Sequence, residues 1–300
     1  MSLSFHEEMV RLLKEGRRAV VATLVRSRGS TPRRFGAKMI VTDSGETFFT
    51  IGGGAFEALV IQDALDAIRA GRGLVKEYRF TEQGESATGM VCGGSARVLF
   101  ELVSPPPALF VFGAGHVGRE LVSVGVRLGF DVTVVDDRSR YLTSDWLPVG
   151  ARPLRVPHDF ADGLPDLPEG AFVAVLTRCH RTDLKVLRHA CVDRRAAYVG
   201  VIGSRRKIAT LKARAAALGT PREVLDRVHG PIGVKIGAQT PEEIAVSIAA
   251  EMIAVKNLGA VLEAETPRAT ITPIDQARAR RLRSAGVITT PPDRDRLPES

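Results

Sequence analysis

The chain has 300 residues, 44% of them apolar, with a formal net charge of +8 and three cysteines. That length suits two domains, and no stretch approaches the roughly 18 uninterrupted apolar residues that a membrane-crossing helix needs. Cys92, Cys179 and Cys191 make neither a disulfide framework nor a C-x-x-C zinc pair, and the first residues lack the basic flank and apolar core of a secretory signal. The expectation is a reduced, cytoplasmic protein with no membrane partner.

Residues 5–13 read as an amphipathic helix. Strands follow at 19–25, 37–41 and 47–51, the last two joined through Asp43-Ser-Gly45. A helix over 56–68 ends at Gly71, and strands at 75–80 and 97–103 complete a small α+β domain over residues 1–103. Three of its loops stand out. Gly29-Ser-Thr-Pro-Arg33-Arg34-x-Gly36-x-Lys38 combines glycines, hydroxyls and cations as an anion-binding loop would. Gly52-Gly53-Gly54 passes from a strand into a helix and presents bare N–H groups, so close approach to a ligand or another backbone is expected there. In Gly89-Met-Val-Cys92-Gly93-Gly94 a thiol between glycines is a soft ligand facing a cleft.

Ser104-Pro-Pro-Pro107 is a stiff linker. Beyond it, over 108–260, strands at 109–112, 132–135, 154–156, 172–176 and 197–202 alternate with helices at 117–128, 182–194 and 205–218. That alternation predicts a parallel, doubly wound α/β sheet of Rossmann type. A last helix starts at Thr240-Pro-Glu-Glu243, with a capping box and Pro at its first position. Residues 261–300 are rich in Pro, Thr and Arg and read as a disordered tail.

The first Rossmann strand feeds Gly113-Ala-Gly115-His116-Val-Gly118. Gly113 permits the turn, Gly115 lets a diphosphate approach, and Gly118 lets the helix pack on the strand. Asp136, ending the next strand, suits a ribose hydroxyl. Two more loops lie at strand carboxyl ends, where open α/β sheets bind ligands. Thr177-Arg178-Cys-His180 offers an acid–base group, and Gly203-Ser204-Arg205-Arg206-Lys207 offers a phosphate site at a helix start. Cys179 and Cys191 lack glycine flanks and read as small buried side chains. The excess positive charge gathers beside these loops, which suits a small phosphorylated ligand and not nucleic acid.

Taken together, these motifs resemble the XdhC/CoxI family of xanthine dehydrogenase accessory proteins, along nearly the whole chain to Asn257. The resemblance implies a chaperone, not an enzyme. It would bind the molybdenum cofactor (molybdopterin), protect it during sulfuration by a cysteine desulfurase, and deliver it to a xanthine dehydrogenase-like molybdenum hydroxylase. It also implies a homodimer, and it makes Cys92 the candidate metal contact. The cofactor-binding candidates are then Arg33, Arg34, Gly52, Gly53, Gly54, Cys92, Gly93 and Gly94 in the first domain. In the second they are Gly113, Gly115, His116, Gly118, Asp136, Arg178, His180, Ser204, Arg205 and Lys207. Two positions depart from the family: Lys235 stands where an acid is frequent, and Ala55 where many relatives carry a cysteine after the triple glycine. Two other readings stay open. One is an NAD(P)-dependent oxidoreductase with His180 or His229 as proton donor; the other is a dinucleotide-sensing regulatory protein.

Overall fold

A computed structural model describes residues 3–28, 35–80, 94–192 and 195–258. Arg33, Arg34, Cys92, Gly93 and the tail therefore lie outside the described residues. The chain divides into two compact units, Met1–Pro107 with Gly129–Asp131, and Ala108–Leu128 with Val132–Ser300.

The first unit runs α1 (Leu3–Lys14), β1 (Ala19–Arg28), β2 (Lys38–Thr42), β3 (Thr47–Phe49), α2 (Gly54–Ala70), β4 (Leu74–Arg79) and β5 (Ser95–Val103). Its strands form one antiparallel sheet in the order β3-β2-β1-β5-β4. Strand side chains alternate between faces, and β1 is apolar on both. Val20, Ala22 and Leu24 pack with Phe56, Val60 and Ala64 of α2, while Ala19 and Val21 pack with Phe5 and Leu12 of α1. A helix thus covers each face of the sheet.

The triple glycine departs from expectation. Gly53 and Gly54 have φ of +85° and +64°, yet a Cβ on either would meet nothing within 4 Å. Left-handed backbone, not close approach of another group, is what requires glycine there. Oε2 of Glu57 accepts the N–H of Gly53 at 2.9 Å and of Ile51 at 3.3 Å, and the Thr50 hydroxyl donates to it at 2.5 Å. The protein's own carboxylate takes up N–H groups that the sequence offered to a ligand.

The second unit contains β6 (Ala108–Phe112), α3 (His116–Arg127), β7 (Asp131–Asp136), β8 (Arg152–Arg155), β9 (Phe172–Val175), α4 (His180–Cys191), β10 (Tyr198–Val201), α5 (Arg205–Ala217), α6 (Arg222–Asp226) and α7 (Pro241–Leu258). The sheet order is β10-β9-β6-β7-β8, and the pairs β10–β9, β6–β9 and β7–β8 are parallel. The strand order reverses between β6 and β9, which makes their carboxyl ends the topological switch point. Helices cover both faces, so β6, β9 and β10 are near-continuous apolar runs. Val186 and Leu187 of α4 and Ile208 and Leu211 of α5 pack with Phe110, Phe112 and Val173 of the strands, and α3 packs against α7. At the start of α7 the capping box closes both ways: Thr240 Oγ1 accepts the Glu243 N–H at 3.3 Å, and Glu243 Oε2 accepts the Thr240 N–H at 3.2 Å. The five-residue α6 is too short to show a period in the sequence.

Candidate functional site

The turn Gly113-Ala114-Gly115 leads from β6 into α3. Gly113 has φ of +110°, and a Cβ there would lie 2.4 Å from the Leu176 carbonyl oxygen beyond β9. A Cβ on Gly118 would lie 2.0 Å from the Gly113 oxygen, so its absence lets α3 seat on the turn. Gly115 faces open space, with nothing within 4 Å of a Cβ.

The acid that follows is committed elsewhere. Asp136 is buried, and its Oδ2 accepts the Ala114 N–H at 2.7 Å. Its Oδ1 accepts the Arg138 backbone N–H at 2.9 Å, and the Arg138 guanidinium closes on both oxygens at 2.9 Å each. A carboxylate has about four acceptor positions, and these contacts use them. Asp136 therefore offers no free acceptor to the ribose hydroxyl that the sequence suggested. On the other side of the turn, Trp146 Nε1 donates to the Ala114 carbonyl at 2.7 Å. The His116 and Tyr141 rings pack on that indole at 5.6 and 5.0 Å.

One strand further along, the loops after β9 and β10 bound an open cleft of about 600 Å³. Arg178, His180, Ser204 and Lys207, all sequence candidates, line it; Arg205 is not among the lining residues. Cys179, Arg206, Thr210 and Arg214 line it as well. The first turns of α4 and α5 both open here, bringing the partial positive charge of two helix N-termini to one place. Among the described residues neither Arg206 nor Arg214 has a carboxylate ion-pair partner. The cleft thus combines cations, backbone N–H groups and a thiol, a set that suits an anion with a soft centre.

Each candidate has its own local role. Ser204 caps α5, its Oγ accepting the Lys207 N–H at 3.2 Å. Lys207 Nζ lies 2.7 Å from Oδ2 of the fully buried Asp183 and donates to the Ile202 carbonyl at 3.0 Å. The Thr177 hydroxyl donates to the other Asp183 oxygen at 2.6 Å. Arg178 forms a two-point pair with Asp137, at 2.7 and 2.9 Å, and reaches Asp159 at 3.0 Å. Burial acts to raise the Asp137 carboxyl, but the Arg178 guanidinium and the Asp159 N–H, which donates to it at 2.9 Å, together outweigh burial and hold the group below its ordinary value. His229 does not line the cleft. Its Nδ1 lies 3.2 Å from Oε1 of Glu251, whose Oε2 accepts from the Tyr198 hydroxyl at 2.5 Å and the Gly233 N–H at 2.9 Å.

The two cysteines that the sequence treated alike differ. Cys179 stands at the N-cap of α4, half-buried, with Sγ 3.3 Å from the Thr182 hydroxyl. Hydrogen bonding from Thr182, through side chain and then backbone, together with the Arg181 N–H, outweighs burial and lowers the thiol. Cys191 sits in the core, where burial pushes it up to about 11. The sequence signal for Cys179 was its place between a strand end and a helix start, where N–H groups favour a thiolate.

The XdhC Rossmann domain family matches residues 109–252, and the XdhC and CoxI family matches residues 12–79. The chain is 32% identical over 257 residues to the uncharacterized protein YqeB of Escherichia coli K12, covering 85% of this chain but only 47% of that one, so it spans about half the length of this relative. It is 27% identical over 281 residues to the molybdenum cofactor insertion chaperone PaoD of Escherichia coli K12, covering 82% and 86% of the two chains. It is 25% identical over 337 residues to a probable xanthine dehydrogenase subunit from Bacillus subtilis 168, covering 86% and 99%.

Proposed function

Because the chain belongs to the XdhC and CoxI family, we propose that it is an accessory protein of a xanthine dehydrogenase-type molybdenum hydroxylase, which binds the molybdenum cofactor and passes it to that enzyme. The observation that carries this reading is the cleft at the ends of β9 and β10. The cargo is a pterin phosphate with a soft dithiolene-bound metal. Its phosphate suits the α5 N-terminus at Ser204 with Arg206 and Arg214, and its metal suits a thiolate such as Cys179. Ser204 and Lys207 shape the phosphate end, while Arg178 and His180 border the rest. The resemblance to PaoD, a molybdenum cofactor insertion chaperone by name, supports the same assignment.

The finer steps follow from the same reading. Cys92, with Gly93 and Gly94, and Arg33 with Arg34 are proposed as further residues that bind the cofactor. The protein would hold and protect the cofactor while a cysteine desulfurase sulfurates it. The protein acts in the cytoplasm as a homodimer and performs no turnover of its own. Co-expression with a molybdenum hydroxylase client tests the role. The client made with this chain should contain molybdenum and be active; client of equal molybdenum content and activity made without the chain would refute it.

A further inference from the structure

We infer that the glycine turn after β6, which by its fold should hold a dinucleotide, is latched by the protein's own side chains and does not accept NAD(H) or NADP(H). In a dinucleotide site the acid after the second strand binds a ribose hydroxyl, and the turn offers its N–H groups to the diphosphate. Here the two functions cancel each other: the Ala114 N–H is spent on Asp136 at 2.7 Å. The Arg138 guanidinium closes on both Asp136 oxygens at 2.9 Å, and it lies over the Tyr141 ring at 4.3 Å from its centroid. The Ala114 carbonyl is held in turn by Trp146 Nε1 at 2.7 Å. To seat an adenosine ribose the protein would have to break a half-buried, two-point ion pair and leave the buried Asp136 carboxylate without its cation, which is costly.

The turn therefore serves as a brace between β6, β7 and α3. Anion binding falls to the neighbouring strand ends, where cations face the cleft. The latch itself does not depend on which cargo that cleft takes.

The protein has a single tryptophan, Trp146, so energy transfer from its indole to bound NADH or NADPH reports directly on this turn. Full-length wild type titrated with either cofactor to about 1 mM, the weak end of ordinary affinities, should show no saturable transfer. Arg138→Gln and Arg138→Ala, checked for folding by circular dichroism, should gain saturable transfer at least about tenfold tighter than wild type. Saturable transfer in wild type at micromolar cofactor would overturn the proposal. So would folded Arg138 variants that bind no better than wild type, since the latch would then not be what excludes the ligand.

Discussion

Lys207 Nζ lies 2.7 Å from Oδ2 of Asp183, which is fully buried, so the lysine that the sequence marked for phosphate also ties α5 to α4. Removing one partner of such a pair leaves an uncompensated buried charge. Lys207→Met should destabilise the protein by about 3 kcal/mol or more, measured by urea unfolding. Arg206→Ala, on the exposed rim of the same cleft, should leave stability within about 0.5 kcal/mol. It should weaken inorganic pyrophosphate binding about tenfold, a loss of about 1.4 kcal/mol, read by calorimetry. The contrast separates holding the cleft together from holding its ligand.

Cys179 and Cys191 should differ in reactivity for electrostatic reasons. The thiolate is the nucleophile, and Cys179 is lowered while Cys191 is pushed up to about 11 and buried. Iodoacetamide at about pH 7 should label Cys179 much faster than Cys191, with peptide mass spectrometry assigning each site. Thr182→Val should slow labelling of Cys179. Equal rates for the two would contradict the role given to the α4 N-terminus.

Asp137 sets an acid limit to stability. Its folded carboxyl lies below the ordinary value, so the ion pair with Arg178 contributes stability that is complete above the unfolded value near 4. That contribution is lost as pH falls through the folded value. Urea midpoints measured from about pH 6 to about pH 2.5 should therefore fall less steeply for Asp137→Asn than for wild type, while the variant is less stable at neutral pH.

The glycines of the β6 turn should rank by geometry. Gly118→Ala places a Cβ 2.0 Å from the Gly113 carbonyl and should cost several kcal/mol or prevent folding. Gly115→Ala meets nothing within 4 Å, at φ of −68°, and should change the thermal midpoint little.

Much of this was legible in the sequence because it is local. The apolar runs of β6, β9 and β10, the Thr240–Glu243 capping box and the seating of Gly118 each follow from residues a turn or a strand apart. The placement of Arg178, His180, Ser204 and Lys207 together followed from one topological rule, that loops at parallel strand ends meet. What escaped depends on which way a side chain turns, onto its own loop or onto a neighbouring one. Asp136 looked free because the sequence does not show that Arg138, two residues on, folds back over it or that the distant Ala114 N–H meets it. Gly53 and Gly54 looked like a ligand cradle, but Glu57 and a left-handed backbone account for them. Cys179 looked inert because only the folded first turn of α4 aims the Thr182 hydroxyl and the Thr182 and Arg181 N–H groups at its sulfur.

The β9–β10 cleft is proposed to hold the phosphate of a molybdenum-bearing pterin. Purifying wild type and the Arg206→Ala/Arg214→Ala variant from cells that make the cofactor, then measuring pterin and molybdenum per protein chain, decides this. Wild type should carry both in equal amounts, and the folded double variant should lose both together. Wild type free of pterin, or a double variant loaded as fully as wild type, would contradict the account.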